Sequence, residues 1–120
     1  MVNLKKLLTN ILSHMPTEIG TNYIRYANGL QICWLNTSVN MAMNTAYSSL
    51  YQGGYTWTFP VEFASTPTVT VGAMRWGTGA SWGTLGGVPT TTQATLRGID
   101  TNSRASGSTH IEAMAIGWWK

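Results

Sequence analysis

The chain has 120 residues, enough for one domain. Charged residues make up only 9% of it and the net charge is +3, against about 25% charged residues in an average globular domain. This argues against a helical bundle, which needs charged side chains on its wet faces, and against a nucleic-acid surface, because the seven basic residues are scattered and only Lys5 and Lys6 adjoin. Thr, Ser, Asn and Gly fill the gap, a mixture suited to strands joined by tight turns. The single cysteine, Cys33, permits no intrachain disulfide, which fits assembly in a reducing cytosol. It lies in the apolar run Leu30-Gln31-Ile32-Cys33-Trp34, so a buried, inert thiol is expected. No apolar run reaches the length of a membrane span. The lysine-then-leucine start is broken by Thr9 and Asn10 and lacks a small-residue cleavage site, so a signal peptide is not expected.

Residues 2–15 hold the one helical pattern. Leu4, Leu8, Ile11 and Met15 recur at spacings of four, three and four, a heptad seam flanked by Leu7 and Leu12. A face this broad is too wide for a two-stranded coil, and Leu at a with Ile at d predicts a coiled coil of three or four strands; the alternative is an amphipathic helix packed on its own domain. Two heptads are marginal alone in water, so the helix must draw stability from the β domain C-terminal to it. Pro16 ends it, which sets a helical unit at residues 1–16 and a β domain at residues 20–120.

The β domain reads as strand and turn throughout. Tyr23–Tyr26 and Leu30–Trp34 flank Ala27-Asn28-Gly29, a hairpin signal resting on the tolerance of Asn and Gly for positive φ. Residues 36–54, poor in charge and rich in Asn, Ser and Met, are expected to be a loop or irregular strand. A short strand at Thr56–Phe59 ends at Pro60, and a longer one runs from Thr68 to Trp76. Residues 77–89 carry five glycines around Trp82 and predict a flexible loop. A strand at 90–99, a polar loop at 100–108 and a strand at 110–118 complete the chain. Trp34 and Trp118 are assigned to the core. In the last strand Ile111, Ala113, Ala115 and Gly117 face one way and Glu112, Met114, Ile116 and Trp118 the other, which predicts burial on both sides or cover by a partner chain. The whole predicts an all-β, antiparallel sandwich of about six strands.

No catalytic constellation emerges. Four acids, Glu18, Glu62, Asp100 and Glu112, and two histidines, His14 and His110, are too scattered for a carboxylate pair, a triad or a metal site. The glycines of 77–89 precede no Lys-Ser or Lys-Thr, so they form no phosphate loop. The expectation is a protein that is not an enzyme and holds no metal or cofactor. What remains is aromatic: six Trp and five Tyr. Trp82, in its glycine-rich setting, is the candidate sugar platform, supported by Trp76, Arg75, Asp100 and Arg104. An indole stacks on the apolar face of a sugar, a carboxylate accepts from hydroxyls, and a guanidinium donates in a planar fork. The alternative is that Trp82 packs against a neighbouring protomer.

Three motifs in order carry a family resemblance. The stretch from Tyr23 to Trp34 resembles the opening hairpin of C-terminal domains of bacteriophage and prophage tail fibres. Thr58-Phe59-Pro60-Val61-Glu62-Phe63, with Pro67-Thr68-Val69-Thr70-Val71, is similar to a second signature of that family, and Ala115-Ile116-Gly117-Trp118-Trp119 to its terminal motif. The same frame resembles H-type lectin domains, six-stranded sandwiches that form sugar-binding trimers. The resemblance spans about residues 20–119 and implies a homotrimeric receptor-binding tip on the virion, assembled in the host cytoplasm, that adsorbs to a host surface glycan without inserting in the membrane. Leu4, Leu8, Ile11 and Met15 are then trimer-interface residues. A structural cap without its own ligand site, or a secreted lectin of the same fold, are the rival readings.

Overall fold

The computed structural model describes residues 3–77 and 79–120. Met1 and Val2, in the expected helical unit, and Thr78, in the expected glycine-rich loop, lie outside the described residues.

Helix α1 (Leu4–Ser13) starts where the Asn3 side chain accepts a hydrogen bond from the Lys6 N–H at 3.0 Å. None of its residues is buried, and Leu4, Leu7, Leu8, Ile11 and Leu12, with Met15 just beyond it, are all exposed. The helix therefore does not pack on the strands of its own chain. No helix among the described residues is long and apolar enough to cross a membrane.

Among the described residues nine strands come after the helix: β1 (Pro16–Gly20), β2 (Tyr23–Tyr26), β3 (Leu30–Met43), β4 (Thr45–Tyr47), β5 (Leu50–Thr58), β6 (Thr68–Trp76), β7 (Ser81–Leu85), β8 (Gln93–Asp100) and β9 (Arg104–Trp118). They form a five-stranded sheet in the order β1-β2-β3-β9-β6 and a four-stranded sheet in the order β4-β5-β8-β7, antiparallel throughout. The all-β, antiparallel class with a short leading helix agrees with the sequence. The strand number, nine rather than about six, does not. Residues 36–43 continue β3, because Val39, Met41 and Met43 point inward while Asn36, Ser38 and Asn40 point out; polar composition hides this period of two in the sequence. Residues 45–54 supply β4 and most of β5. β7 crosses the expected glycine-rich loop, and β9 starts at Arg104, inside the expected polar loop.

The two sheets face each other across one core. Cys33, Met43, Val69, Met74, Ile111, Ala113 and Ala115 enter from the first sheet, and Trp57, Ala94 and Leu96 from the second. Phe59 closes the end nearest the helix, edge-on to Trp57 at 4.9 Å and to Phe63 at 5.2 Å. Cys33 is buried, and burial pushes its thiol up to about 11, so it stays protonated near neutral pH. Trp118 is not core: it is 51% exposed and points outward from β9, and Trp34 points outward from β3.

The three sequence motifs meet at this same end. In the β2–β3 hairpin only Gly29 takes a positive φ, 102°, while the Asn28 side chain accepts from the Leu30 N–H at 3.0 Å. The carbonyl of Gly29 accepts from the Trp119 N–H at 2.8 Å, and that of Tyr26 from the Trp119 indole N–H at 2.9 Å. The Ala64 N–H reaches the Trp118 carbonyl at 2.8 Å. Buried Gln31 donates to the Val61 carbonyl at 3.2 Å and accepts from Arg25 Nε at 2.8 Å. The motif residues thus tie the hairpin, the Phe59–Phe63 turn and the chain end into one knot. Phe59→Ala is expected to lower unfolding stability by about 3–5 kcal/mol in a urea titration; an unchanged midpoint would place that ring outside the core.

Candidate functional site

The two outer faces of the domain differ in chemistry. On the first sheet, cross-strand register places four isoleucines in one row, Ile19, Ile24, Ile32 and Ile116. Trp34 lies opposite Met114, and Leu30 opposite Trp118, on the same face. Ile19 is 69% exposed, and Trp34, Met114, Ile116 and Trp118 are exposed as well. This apolar half adjoins the helix. Farther along, the face turns polar, with Asn36 and Ser38 opposite Glu112 and His110, whose side chains approach to 3.7 Å. Between the halves lies a trough of about 290 Å³ lined by Trp34, Asn36, Thr70, Glu112 and Met114.

The outer face of the second sheet carries mainly hydroxyls, amides and glycine, with Arg97, Tyr47, Trp82 and a buried Ile99 among them. In register across β4, β5, β8 and β7 lie Thr45, Gln52, Ile99 and Trp82; the next row holds Gly54, Arg97 and Thr84. Trp82 therefore stands on a strand rather than a loop. It points outward, is 46% exposed, and sits beside Ile99.

The other expected site residues are placed differently. Asp100 is fully buried and turned toward its own loop, where one oxygen accepts from the Asn102 N–H at 2.8 Å and the other from Arg104 Nε at 3.4 Å. Arg104 in turn lies 4.3 Å from the centre of the Trp76 ring. The Trp76 indole lies on the backbone of Gly107, where a Cβ would collide with it. Its N–H is buried without a partner among the described residues. Asp100, Arg104 and Trp76 are thus brought together, but as a carboxylate–guanidinium–indole stack bracing the end of the domain away from the helix. Arg75 lies on the outer face of the first sheet opposite His110, its Nε donating to the Gly77 carbonyl at 3.1 Å. The five residues do not form one cluster around Trp82. Arg97, which lies with Trp82 and Tyr47 on the same outer face, was not among the residues singled out from the sequence. Arg97 alternates outward between buried Leu96 and Gly98, a strand pattern that marks it as a surface cation.

No protein-family model and no curated protein matches the sequence. Among solved structures, the C-terminal part of the R1 pyocin fibre of P. aeruginosa superposes with a TM-score of 0.65 at 20% identity, over 98% of this chain and 32% of that one. An N-truncated R1-type pyocin tail fibre superposes with a TM-score of 0.60 at 20% identity, over 98% of each chain. The chain shares its fold with pyocin tail fibres. The tail-fibre resemblance read from the three motifs is thereby borne out as a likeness of fold. At 98% coverage the superposition takes in helix and sheets together, and the chain spans about a third of the longer pyocin fibre structure.

Within this fold the Asp100 stack joins three residues at the end of the domain away from the helix. Asp100→Ala leaves the Arg104 guanidinium and the Asn102 N–H without their acceptor, and is expected to cost about 1–3 kcal/mol in chemical denaturation. A variant as stable as the parent would show that the carboxylate holds nothing.

Proposed function

We propose that the chain is the receptor-binding tip of a phage tail fibre, a non-catalytic homotrimer on the virion that adsorbs to a host surface glycan. The observation that carries this reading is the contrast between the outer faces, set within a tail-fibre fold. The domain leaves two apolar surfaces uncovered: the helix seam at Leu4, Leu8, Ile11 and Met15, and the half-face of the first sheet at Ile19, Trp34, Met114, Ile116 and Trp118. Such surfaces in water call for cover, and copies of the same chain around one axis cover helix and sheet at once. The hydroxyl- and amide-rich face of the second sheet is then left to solvent, with Trp82 as a plate for a sugar ring.

Single-site affinity is expected to be weak, on the order of millimolar, or about 4 kcal/mol. Three sites per trimer and several fibres per particle raise avidity by about 10²–10⁴. A second reading, a capping or trimerisation module with no ligand of its own, draws support from the outward aromatics Trp34 and Trp118, which suit contacts between protomers. The lectin-like variant of the reading rests on the sequence motifs alone.

Two measurements test the proposal. Leu8→Asp would set carboxylates without partners along the seam, so sedimentation should shift from a trimer to smaller species; a parent protein that sediments as a monomer at micromolar concentration contradicts the trimer. A bacterial glycan array probed with the intact assembly should give binding that Trp82→Ala abolishes at unchanged melting temperature. An array without signal favours the capping module, and a Trp82→Ala protein that falls apart places the indole between protomers.

A further inference from the structure

We infer that a glycine-floored trough centred on Arg97 is an anion site, which takes the carboxylate or phosphate group of an acidic surface polysaccharide. Such a site deepens the glycan-binding function proposed for this chain and rests on it.

The trough lies on the outer face of the second sheet, encloses about 200 Å³, and is lined by Thr45, Gln52, Gly54, Gly86, Thr95 and Arg97. This is below the roughly 300–1,000 Å³ of drug-sized pockets and suits one sugar residue with its charged group. Its floor exists because position 54, directly opposite Arg97 on β5, has no side chain. A Cβ there would meet only the Leu96 carbonyl oxygen, at 3.9 Å, so the space is open rather than filled.

Arg97 supplies the charge. Its guanidinium stands 5.4 Å from the centre of the Tyr47 ring, which steadies the fork from one side. No carboxylate pairs with it among the described residues: the ion pairs there involve Arg25, Arg104 and His110. The four acids of the chain lie elsewhere. Glu18 is on β1, Glu62 in the turn before β6, Glu112 on the outer face of the first sheet, and Asp100 is buried. The face therefore carries one cation and no anion, surrounded by Thr and Gln groups that donate to and accept from sugar hydroxyls. A planar guanidinium with open donors binds carboxylate and phosphate oxygens in pairs. Trp82 stands one row away on β7, on the same outer face as Thr84. A chain residue stacked on the indole can thus place its neighbour's anionic group over Arg97.

The test uses the intact protein with three probes: polygalacturonate for carboxylate, poly(glycerol phosphate) for phosphate, and dextran as the neutral control. At least one anionic probe should bind, more weakly as salt rises, and dextran should not depend on position 97. Arg97→Gln should weaken that binding at least about tenfold with melting temperature unchanged, and Arg97→Lys less, since it keeps charge but not the fork. Gly54→Val should abolish binding by filling the floor while keeping a strand-compatible residue. Unchanged binding in Arg97→Gln or Gly54→Val overturns the site. Binding of dextran alone overturns the anion inference and leaves the glycan-binding function standing; no binding to any of these probes or to the glycan array removes both.

Discussion

The antiparallel pairing of β3 with β9 runs from Leu30 opposite Trp118 to Met43 opposite Arg104, and the rest of the molecule is hung on it. Two strands this long cannot choose their faces residue by residue. Once Cys33, Met43, Ile111, Ala113 and Ala115 are committed to the core, a period of two sends Ile32, Trp34, Met114, Ile116 and Trp118 outward. The exposed apolar half-face is thus a consequence of register rather than a defect. Slipping the register by one residue would bury Glu112 and expose Ile111. β2 and β6 dock on either side of this ladder, and the second sheet closes over its inner face.

That constraint links fold to role. A lone protomer would leave helix and half-face wet, a large apolar surface for a chain with so little charge to keep copies apart. The opposite outer face has no such need. Its alternation sends Leu96, Gly98 and Asp100 inward and leaves Thr, Gln, Arg97 and Trp82 outside, chemistry that suits hydroxylated and anionic ligands. The Asp100–Arg104–Trp76 stack holds the end of the domain, so polar residues that resemble a binding cluster on paper are consumed by structure.

The antiparallel β class, the leading helix, the Asn-Gly hairpin and the two-faced character of the last strand were legible because each rests on local pattern. Strand extents were not. Val39, Met41 and Met43 alternate correctly, but Asn36, Ser38 and Asn40 between them carry the composition of a loop, and only pairing with β9 decides the matter. Five glycines concealed β7, whose residues are held in the sheet by pairing with β8. For the site, Trp82 was visible as an isolated aromatic among small residues. Arg97 and Gly54 were not, because they meet only across strands 43 positions apart in sequence. Asp100 and Arg104 suggested a ligand pair since burial cannot be read from residue type.

Hydroxyl-radical footprinting of the native protein, with each site normalised to its rate in urea, tests the two-faced account most directly. In the single chain Trp82, Met114 and Trp118 are similarly exposed, at 46%, 47% and 51%. If copies of the chain cover the apolar face of the first sheet and leave the second sheet open, Met114 and Trp118 react well below the rate that their single-chain exposure sets, while Trp82 keeps the rate that its own exposure sets. Equal oxidation at all three, or protection of Trp82 with Trp118 left reactive, contradicts it.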